Sequence, residues 1–418
     1  MTGRRLRILV LTVTCDGTDV GEAWSSYQWV SRLAKHHDLT VLTCRTRERP
    51  SAKTQLEGIR VIEWPDIAMP RWLDQLNRML KPGYIRFYIN ATRWIRNAVL
   101  AGERFDLIHQ ISPLAIRFPS PAIGFNVPLV LGPLAGSLEM PKGFNHEFGY
   151  EPWYTRLRVL DRFRLKYDPM LRRTLQQAQV VLGAAPYVRE LLDGIPLRRF
   201  EVMSETGVVQ LPEPGAADKA HARGLHLLFV GRVIRSKGVR DAVRAIAKVT
   251  DLQDVTLDVV GDGEDRAACE AEARQMRVTD RVVFHGRIPR QLVDTFYARS
   301  HAFLFPSMRE PSGNAVLEAM SHGLAMIVAS TGGPAFSVDD DSGIRVTPVN
   351  PEQYASDLAA SIRALALNPA LVAQMGCAAR RRIAEHFLWD RKVQWMLNLY
   401  DSVVGQQAPS GQSLIQTA

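Results

Sequence analysis

Arg232 and Lys237 stand five residues apart in FVGRVIRSKG, and Glu310 and Glu318 bracket EPSGNAVLE with seven residues between them. Two cations at that spacing suit a diphosphate. The planar guanidinium matches two phosphate oxygens, and the ammonium adds a mobile point charge. Two carboxylates, one on a loop and one on the helix behind it, suit the hydroxyls of sugars. Together the four predict a nucleotide-sugar site, and with it an enzyme that moves a sugar.

Each pair needs an element to hold it. LHLLFV, residues 225–230, reads as a strand running into Gly231 and Arg232, with a helix, DAVRAIAKV, beginning after Gly238. Arg232 then sits at the carboxyl end of a strand, where open α/β sheets bind ligands. FLFPSMREPSGNAVLEAM, residues 303–320, repeats the plan. Its strand ends at Phe305, Glu310 lies in the loop, and Ser312, Gly313 and Asn314 open a helix that Gly323 can terminate. Gly313 permits close backbone approach to a ligand, and the free N–H groups of the helix start favour an anion. Glu318 falls about one turn into that helix. Further glycines follow apolar runs at Gly261, Gly263, Gly286, Gly332 and Gly333. Singly each is a turn; aligned on one rim they predict a cleft. No G-x-G extends to the dinucleotide fingerprint, and the Walker pattern is absent.

These segments belong to a repeating plan. Strand-length apolar runs occur at 7–12, 39–43, 107–109, 129–132 and 180–183, then at 225–230, 256–260, 281–285, 302–305 and 325–329. Many are apolar on both faces, as in a parallel sheet covered by helices. Strands alternating with helices predict α/β, doubly wound domains. The 418 residues are too many for one ordinary domain. The division expected is 1–210 and 218–385, with a Pro/Gly/Ala-rich linker in 207–224, a helix at 386–405 crossing back to the first domain, and a polar tail at 406–418 expected to be disordered.

Lys and Arg number 52 against 43 Asp and Glu, and nearly all of the +9 excess falls in residues 1–213. That half should meet an anionic partner. No nucleic-acid motif accompanies the charge, so nucleic acid is not an expected partner. Cys15, Cys44, Cys269 and Cys377 form no C-x-x-C pair, which fits a reducing cytoplasm and neither a disulfide framework nor a zinc site. The basic and then apolar N-terminus reads as a first buried strand in preference to a signal peptide.

The second half resembles the retaining GT-B glycosyltransferases of family 4. FVGRVIRSKG, VVGDGEDR, RVVFHGRIP, FLFPSMREPSGNAVLEAMSHG and ASTGG occur in the family's order across most of residues 225–345. The resemblance implies two Rossmann-like domains facing across a cleft. It implies that Arg232 and Lys237 hold the donor diphosphate and that Glu318 accepts the ribose hydroxyls. Glu310, with the backbone of Ser312 and Gly313 and the neighbouring Asn314, would hold the transferred sugar. Gly286, Arg287 and Ile288 would edge the base. It also implies metal-independent chemistry with no cofactor beyond the nucleotide-sugar co-substrate, so the acidic run Asp339–Asp341 reads as a turn. In the first half, VGEAWSSYQWVSRLAKHHDLTVLT places Gly21 near the donor phosphate, and FDLIHQIS and PLVLGPLAG resemble later family segments. Where many members carry H-x-H this chain has His109-Gln110-Ile111. The second histidine of that pattern, the one near the reacting sugar, aligns with Ile111, which leaves His109 or Ser112 as candidate catalytic substitutes beside the commoner reading of a lone histidine after a strand as structural.

Residues 69–96, MPRWLDQLNRMLKPGYIRFYINATRWIR, and 153–173, WYTRLRVLDRFRLKYDPMLRR, interleave aromatics with arginines at helical spacing. Such helices can lie on an anionic membrane, or turn their aromatics into their own core. No run reaches the roughly 20 apolar residues needed to span a bilayer. The sequence therefore predicts a cytoplasmic glycosyltransferase with a lipid-linked or glycan acceptor, for which peripheral contact with the inner face of the cell membrane is one option and a soluble glycan, peptide or natural-product acceptor stays open. Two alternatives stand beside it: a catalytically silent nucleotide- or glycan-binding subunit on this fold, and a nucleotide-sugar epimerase. A dehydrogenase is disfavoured by the missing fingerprint.

Overall fold

The computed structural model describes residues 4–45, 49–66, 83–147, 159–213 and 224–405. The 406–418 tail, residues 214–223 of the expected linker, and the 69–82 and 153–158 parts of the two aromatic and basic stretches lie outside the described residues.

Two parallel sheets form the molecule. The first holds β1 (Arg7–Leu11), β2 (Asp38–Arg45), β3 (Arg60–Pro65), β4 (Leu107–Gln110), β5 (Leu129–Leu134), β6 (Val180–Gly183) and β7 (Phe200–Val202) in the order β3-β2-β1-β4-β5-β6-β7. The second holds β8 (Leu225–Val230), β9 (Val255–Val260), β10 (Val282–Gly286), β11 (Ala302–Phe305), β12 (Ala325–Ala329) and β13 (Gly343–Val346) in the order β10-β9-β8-β11-β12-β13. Both orders reverse direction once, between β1 and β4 and between β8 and β11. That reversal is the switch point at which doubly wound sheets bind ligands. All ten strands expected from the apolar runs are present, with ends moved by a few residues. The three not expected, β3, β7 and β13, lie at sheet edges. An edge strand need not be apolar on both faces, and β3 is buried fully only at Val61.

Central strands carry the cores. β11 and β12 are buried at every residue, and the Val239–Ala247 helix covers β8 and β9 with Val239, Ala242, Val243, Ala245 and Ile246. The long helical C-terminal stretch is three helices. Asn350 caps Pro351–Ala366 by accepting from the Gln353 N–H at 3.0 Å, and Asn368 caps Pro369–Arg382 by accepting from Leu371 at 3.1 Å. Each such cap is worth about 1 kcal/mol. The third helix, Trp389–Gly405, buries Trp389, Val393, Met396, Leu399, Tyr400 and Val403 in the first domain's core, while Phe387 stays in the second's. The chain thus crosses back between Phe387 and Trp389. The earlier crossing runs beside it: Val208 donates to the Phe387 carbonyl at 2.9 Å and Trp389 to the Val208 carbonyl at 3.0 Å. Lys392 pins this junction from within, its ammonium donating to the Ser204 and Thr206 carbonyls at 2.5 Å each, over the Trp389 ring.

A third connection was not legible in the sequence. Lys142–Phe144 is a short turn following β5, yet Phe144 is fully buried in the second domain's core, edge-on to Tyr354. Three residues on, Glu147 accepts from Arg235 Nε at 3.1 Å and Arg244 at 2.8 Å, both of the second domain. Burial would raise the Glu147 carboxyl, but the two guanidiniums more than offset this and hold it below its ordinary range.

Candidate active site

The loops after β8 and β11 meet at the second sheet's switch point. A single turn, Arg235–Lys237, ends at Gly238 with φ 75°. A Cβ there would lie 2.1 Å from the Pro306 carbonyl oxygen, so only glycine lets the two loops pack. The closure brings the Lys237 ammonium onto Glu310 Oε2 as an ion pair, with both side chains largely buried. The Phe305 ring backs the ammonium at 5.1 Å. Arg232 is exposed and, among the described residues, its guanidinium makes no hydrogen bond or ion pair. It is therefore available to a ligand.

The Glu310 loop is fixed from its other side. Gly333 donates to the Glu310 carbonyl at 2.9 Å. Gly332, at φ 64°, could carry no Cβ, because one would sit 2.1 Å from that same oxygen. Gly313 then turns the chain at φ 86° into the Asn314–Ser321 helix. Ser312 is only 6% exposed, yet its hydroxyl has no hydrogen-bond partner. Glu318 accepts from Arg290 at 2.8 Å and from the Tyr297 hydroxyl at 3.2 Å. Burial, with the Glu318 charge second, raises the Tyr297 phenol well above its usual range, so it stays a donor.

A cavity of about 630 Å³ lies between the domains, with Gly17–Gly21 and Trp24 on one side and Arg290, Asn314, Leu317 and Glu318 on the other. Gly21, at φ 66°, opens the helix after β1. The structure thus brings Gly21 opposite Glu318 and Asn314, and Lys237 onto Glu310. Gly286, Arg287 and Ile288 are not among this cavity's walls. Gly286 is buried and accepts from Gly261 at 2.9 Å, Arg287 is exposed, and Ile288 packs on the second core. A smaller cavity of about 380 Å³ under Arg5, Arg7 and His37 lies at the amino ends of the first sheet's strands, the end where such sheets do not bind ligands.

For His109 the structure corrects the catalytic reading and bears out the structural one. It is fully buried in β4, with one ring nitrogen 2.6 Å from the Tyr400 hydroxyl and the other 2.8 Å from the Gly132 carbonyl. Burial lowers its pKa to about 4, opposed by the bond to Gly132, so it is a neutral core residue tying the returning helix to the sheet. Ser112 is equally buried; it accepts from the Val13 N–H at 2.8 Å and pairs with Thr12 at 3.0 Å. Neither side chain reaches the cleft. On the first domain's side, Glu205 at the start of the interdomain crossing is near enough to Glu310 to feel its charge. Burial pushes this carboxyl up to about 7; Ser312 and Lys392 oppose the shift, and the charges of Glu22 and Glu310 add to it. Its signal in the sequence, a lone Glu in MSETG, is too weak to find.

Residues 21–204 match the family described as Glycosyl transferase 4-like domain, and residues 219–382 match Glycosyl transferases group 1. A 2-deoxystreptamine glucosyltransferase of Streptomyces kanamyceticus is 33% identical over 183 residues, 43% of this chain and 46% of that protein. The chain thus spans about half the length of the curated relatives it matches. Among solved structures, sucrose-phosphate synthase from Thermosynechococcus elongatus superposes with a TM-score of 0.65 at 19% identity, covering 96% of this chain and all of the other. The Anabaena protein HepE in complex with UDP-glucose superposes with a TM-score of 0.62 at 18% identity, covering 95% and 100%. The strand orders are those of the GT-B fold, and the chain belongs to the group 1 glycosyltransferases.

Proposed function

We propose that this protein transfers a sugar from a nucleotide-sugar donor to an acceptor hydroxyl, with retention of anomeric configuration and without a metal. The observation that supports this reading is the Lys237–Glu310 ion pair at the second sheet's switch point, with Arg232 exposed on the loop that carries Lys237 and Glu318 on the helix that follows Glu310. In this reading Arg232 and Lys237 receive the diphosphate, Glu318 the ribose and Glu310 the sugar. The bond from the anomeric carbon to the β-phosphate oxygen breaks, and its electron pair stays on the phosphate. The acceptor oxygen bonds to the same face of that carbon, and its proton passes to the departing phosphate. The protein contributes positioning and positive charge where the leaving group develops negative charge. UDP-glucose is the first donor to test, since the Anabaena protein was solved with it.

A glycan or lipid-linked acceptor at an anionic membrane fits the first domain's basic excess. On the Gly83–Leu100 helix Tyr84 and Phe87 face the core, while Ile85 is 67% exposed. On Val159–Tyr167, Phe163 is 60% exposed and Tyr167 lies beside Lys166. Exposed apolar groups interleaved with cations suit an anionic interface. No helix among the described residues is long and apolar enough to cross a membrane by itself.

The silent-subunit reading is kept by one observation: His109 and Ser112 do not reach the cleft. Product analysis decides among the readings. Wild-type protein, incubated with UDP-, GDP-, ADP- and dTDP-sugars, should release nucleoside diphosphate and transferred or free sugar, and Glu310→Ala should not. An epimerised nucleotide sugar identifies the epimerase. No turnover of any donor, with or without vesicles and glycan acceptors, contradicts the transferase reading.

A further inference from the structure

The segment that leaves β5 runs from the Glu310 side of the donor site to the turn that carries Lys237. A Leu138 methyl lies 2.9 Å from where a Cβ on Gly332 would stand, and Gly332 itself is packed against the Glu310 carbonyl. Met140 then packs on the second domain's core, and Phe144 is buried within it. A Cβ on Gly143 would sit 2.1 Å from the Val349 carbonyl oxygen, so only glycine lets the segment lie this close. Glu147 ends the run on Arg235, in the same single turn as Lys237.

Arg235 is only 6% exposed, and its guanidinium is enclosed by partners. Nη1 donates to Asp241 Oδ2 at 2.6 Å and Nη2 to Asp241 Oδ1 at 3.1 Å, the two-pronged match of guanidinium to carboxylate. Asp241 is fully buried on the Val239–Ala247 helix of the same domain. From the first domain, Glu147 Oε2 accepts from Nε at 3.1 Å and pairs with Nη2, and the Phe144 ring stands 5.4 Å from the guanidinium carbon. Glu147 is not needed to neutralise its partners. Asp241 already does so for Arg235, and Glu272 does so for Arg244, accepting from its Nε at 2.6 Å. What Glu147 adds is a bond from the first domain to the turn. The turn's other side is tied to the loop that carries Glu310, where Met308 donates to the Ser236 carbonyl at 3.0 Å. Arg235, Ser236 and Lys237 are consecutive, so a shift of the enclosed guanidinium moves the backbone that carries the ammonium.

We propose that Glu147 is a positioning residue for the transfer: by holding Arg235 it sets where the Lys237 ammonium stands against the leaving diphosphate. This rests on the donor site proposed above and makes the first domain the part that aligns it. A slightly misplaced ammonium still attracts a diphosphate, because Coulomb attraction falls slowly with distance. It stabilises the charge that develops on the departing oxygen less well, because that step depends on close alignment. Loss of Glu147 therefore acts on kcat more than on donor affinity.

Release of nucleoside diphosphate from UDP-, GDP-, ADP- and dTDP-sugars tests this on wild type, Glu147→Ala, Glu147→Gln, Lys237→Ala and the Glu147→Ala/Lys237→Ala double variant, each checked for folding by urea unfolding. Glu147→Ala should lower kcat about 10-fold, short of the roughly 100-fold that a misplacement of about 1 Å can cost, and change the donor KM less. Glu147→Gln keeps the side chain's length and an acceptor oxygen, and should recover part of kcat. In the Lys237→Ala background Glu147→Ala should cost almost nothing further, because its effect runs through the missing ammonium. A merely structural contact would multiply its loss onto that of Lys237→Ala, or raise KM with kcat intact. Either result overturns the proposal, as does wild-type kcat in Glu147→Ala. If Glu147→Ala does not fold, Glu147→Gln alone and with Lys237→Ala decides by the same criteria. Lys237→Ala impaired beside an unimpaired Glu147 variant sinks this proposal alone; wild-type turnover in Lys237→Ala, or none in the wild type, overturns the donor-site reading and the proposal with it.

Discussion

Lys237 and Glu310 close on each other between the loops that follow β8 and β11, although the proposed reaction assigns them to different parts of the donor. The pair neutralises a largely buried cation and a largely buried anion while no phosphate is present. In the proposed reaction a bound diphosphate would offer Lys237 a stronger anion, and its departure from Oε2 would open Glu310 to a sugar hydroxyl. Donor binding and the uncovering of the group that accepts from the sugar would then be one event.

Lys237→Ala should therefore lower donor turnover by about 100-fold or more, in the range for a lost transition-state donor. The Lys237→Ala/Glu310→Ala double variant should fall by much less than the product of the single losses, because contacting residues couple. Steady-state kinetics on the four proteins checks this, and strictly multiplicative losses contradict the shared pair.

Arg290 and Glu318 give a contrasting pair. Arg290 is 79% exposed, so the pair contributes at most about 1 kcal/mol to stability. Arg290→Ala should leave the unfolding midpoint nearly unchanged and nucleotide affinity equal or higher, since Glu318 is released for the ribose. Glu318→Ala should weaken the nucleotide roughly 10-fold, the loss of one charged hydrogen bond. Equal weakening by both substitutions would place Arg290, and not Glu318, against the ligand.

His109 should report on pH through stability and not through rate. Its folded pKa of about 4 lies below the ordinary 6.5 because burial disfavours the imidazolium. Above pH 6.5 both folded and unfolded states are neutral and the full stability is present. As pH falls below 6.5 only the unfolded state takes up the proton, and stability is lost until about pH 4. The loss is of order 3 kcal/mol. Urea unfolding of wild type and His109→Gln at pH 7.5 and 4.5 should show a smaller pH effect in the variant. Identical pH dependence contradicts the buried neutral ring.

The segment carrying Phe144 and Glu147 should matter to the domain that did not supply it. Phe144→Ala removes a fully buried ring and should cost about 3–5 kcal/mol. Hydrogen exchange should show the loss in the helices Val239–Ala247 and Pro351–Ala366 of the second domain. Loss of protection in the first domain alone would contradict the insertion.

The second domain was legible because its site is local. A strand, a glycine, a cation and the next helix follow within about 20 residues, and the E-x7-E loop is equally compact. What was not legible depends on distant partners. Phe144 and Glu147 read as an ordinary loop after β5 because Tyr354, Arg235 and Arg244 lie far along the chain. His109 read as a strand-end histidine near the cleft because Tyr400, which takes up its ring, is 291 residues away. Glu205 carried no pattern at all. β3, β7 and β13 were missed because edge strands lack two apolar faces. The Trp389–Gly405 helix was foreseen as a return to the first domain, with its start a few residues early.

The central claim is that Arg232, Lys237, Glu310 and Glu318 form one donor site. Thermal stabilisation across UDP-, GDP-, ADP- and dTDP-sugars, measured on wild type, Arg232→Ala and Glu318→Ala, tests it most directly, because a ligand bound by the folded state raises its stability by mass action. The account predicts a rise in Tm with one nucleotide family in the wild type and its loss in both variants. A rise that survives both substitutions would place the nucleotide elsewhere and contradict it.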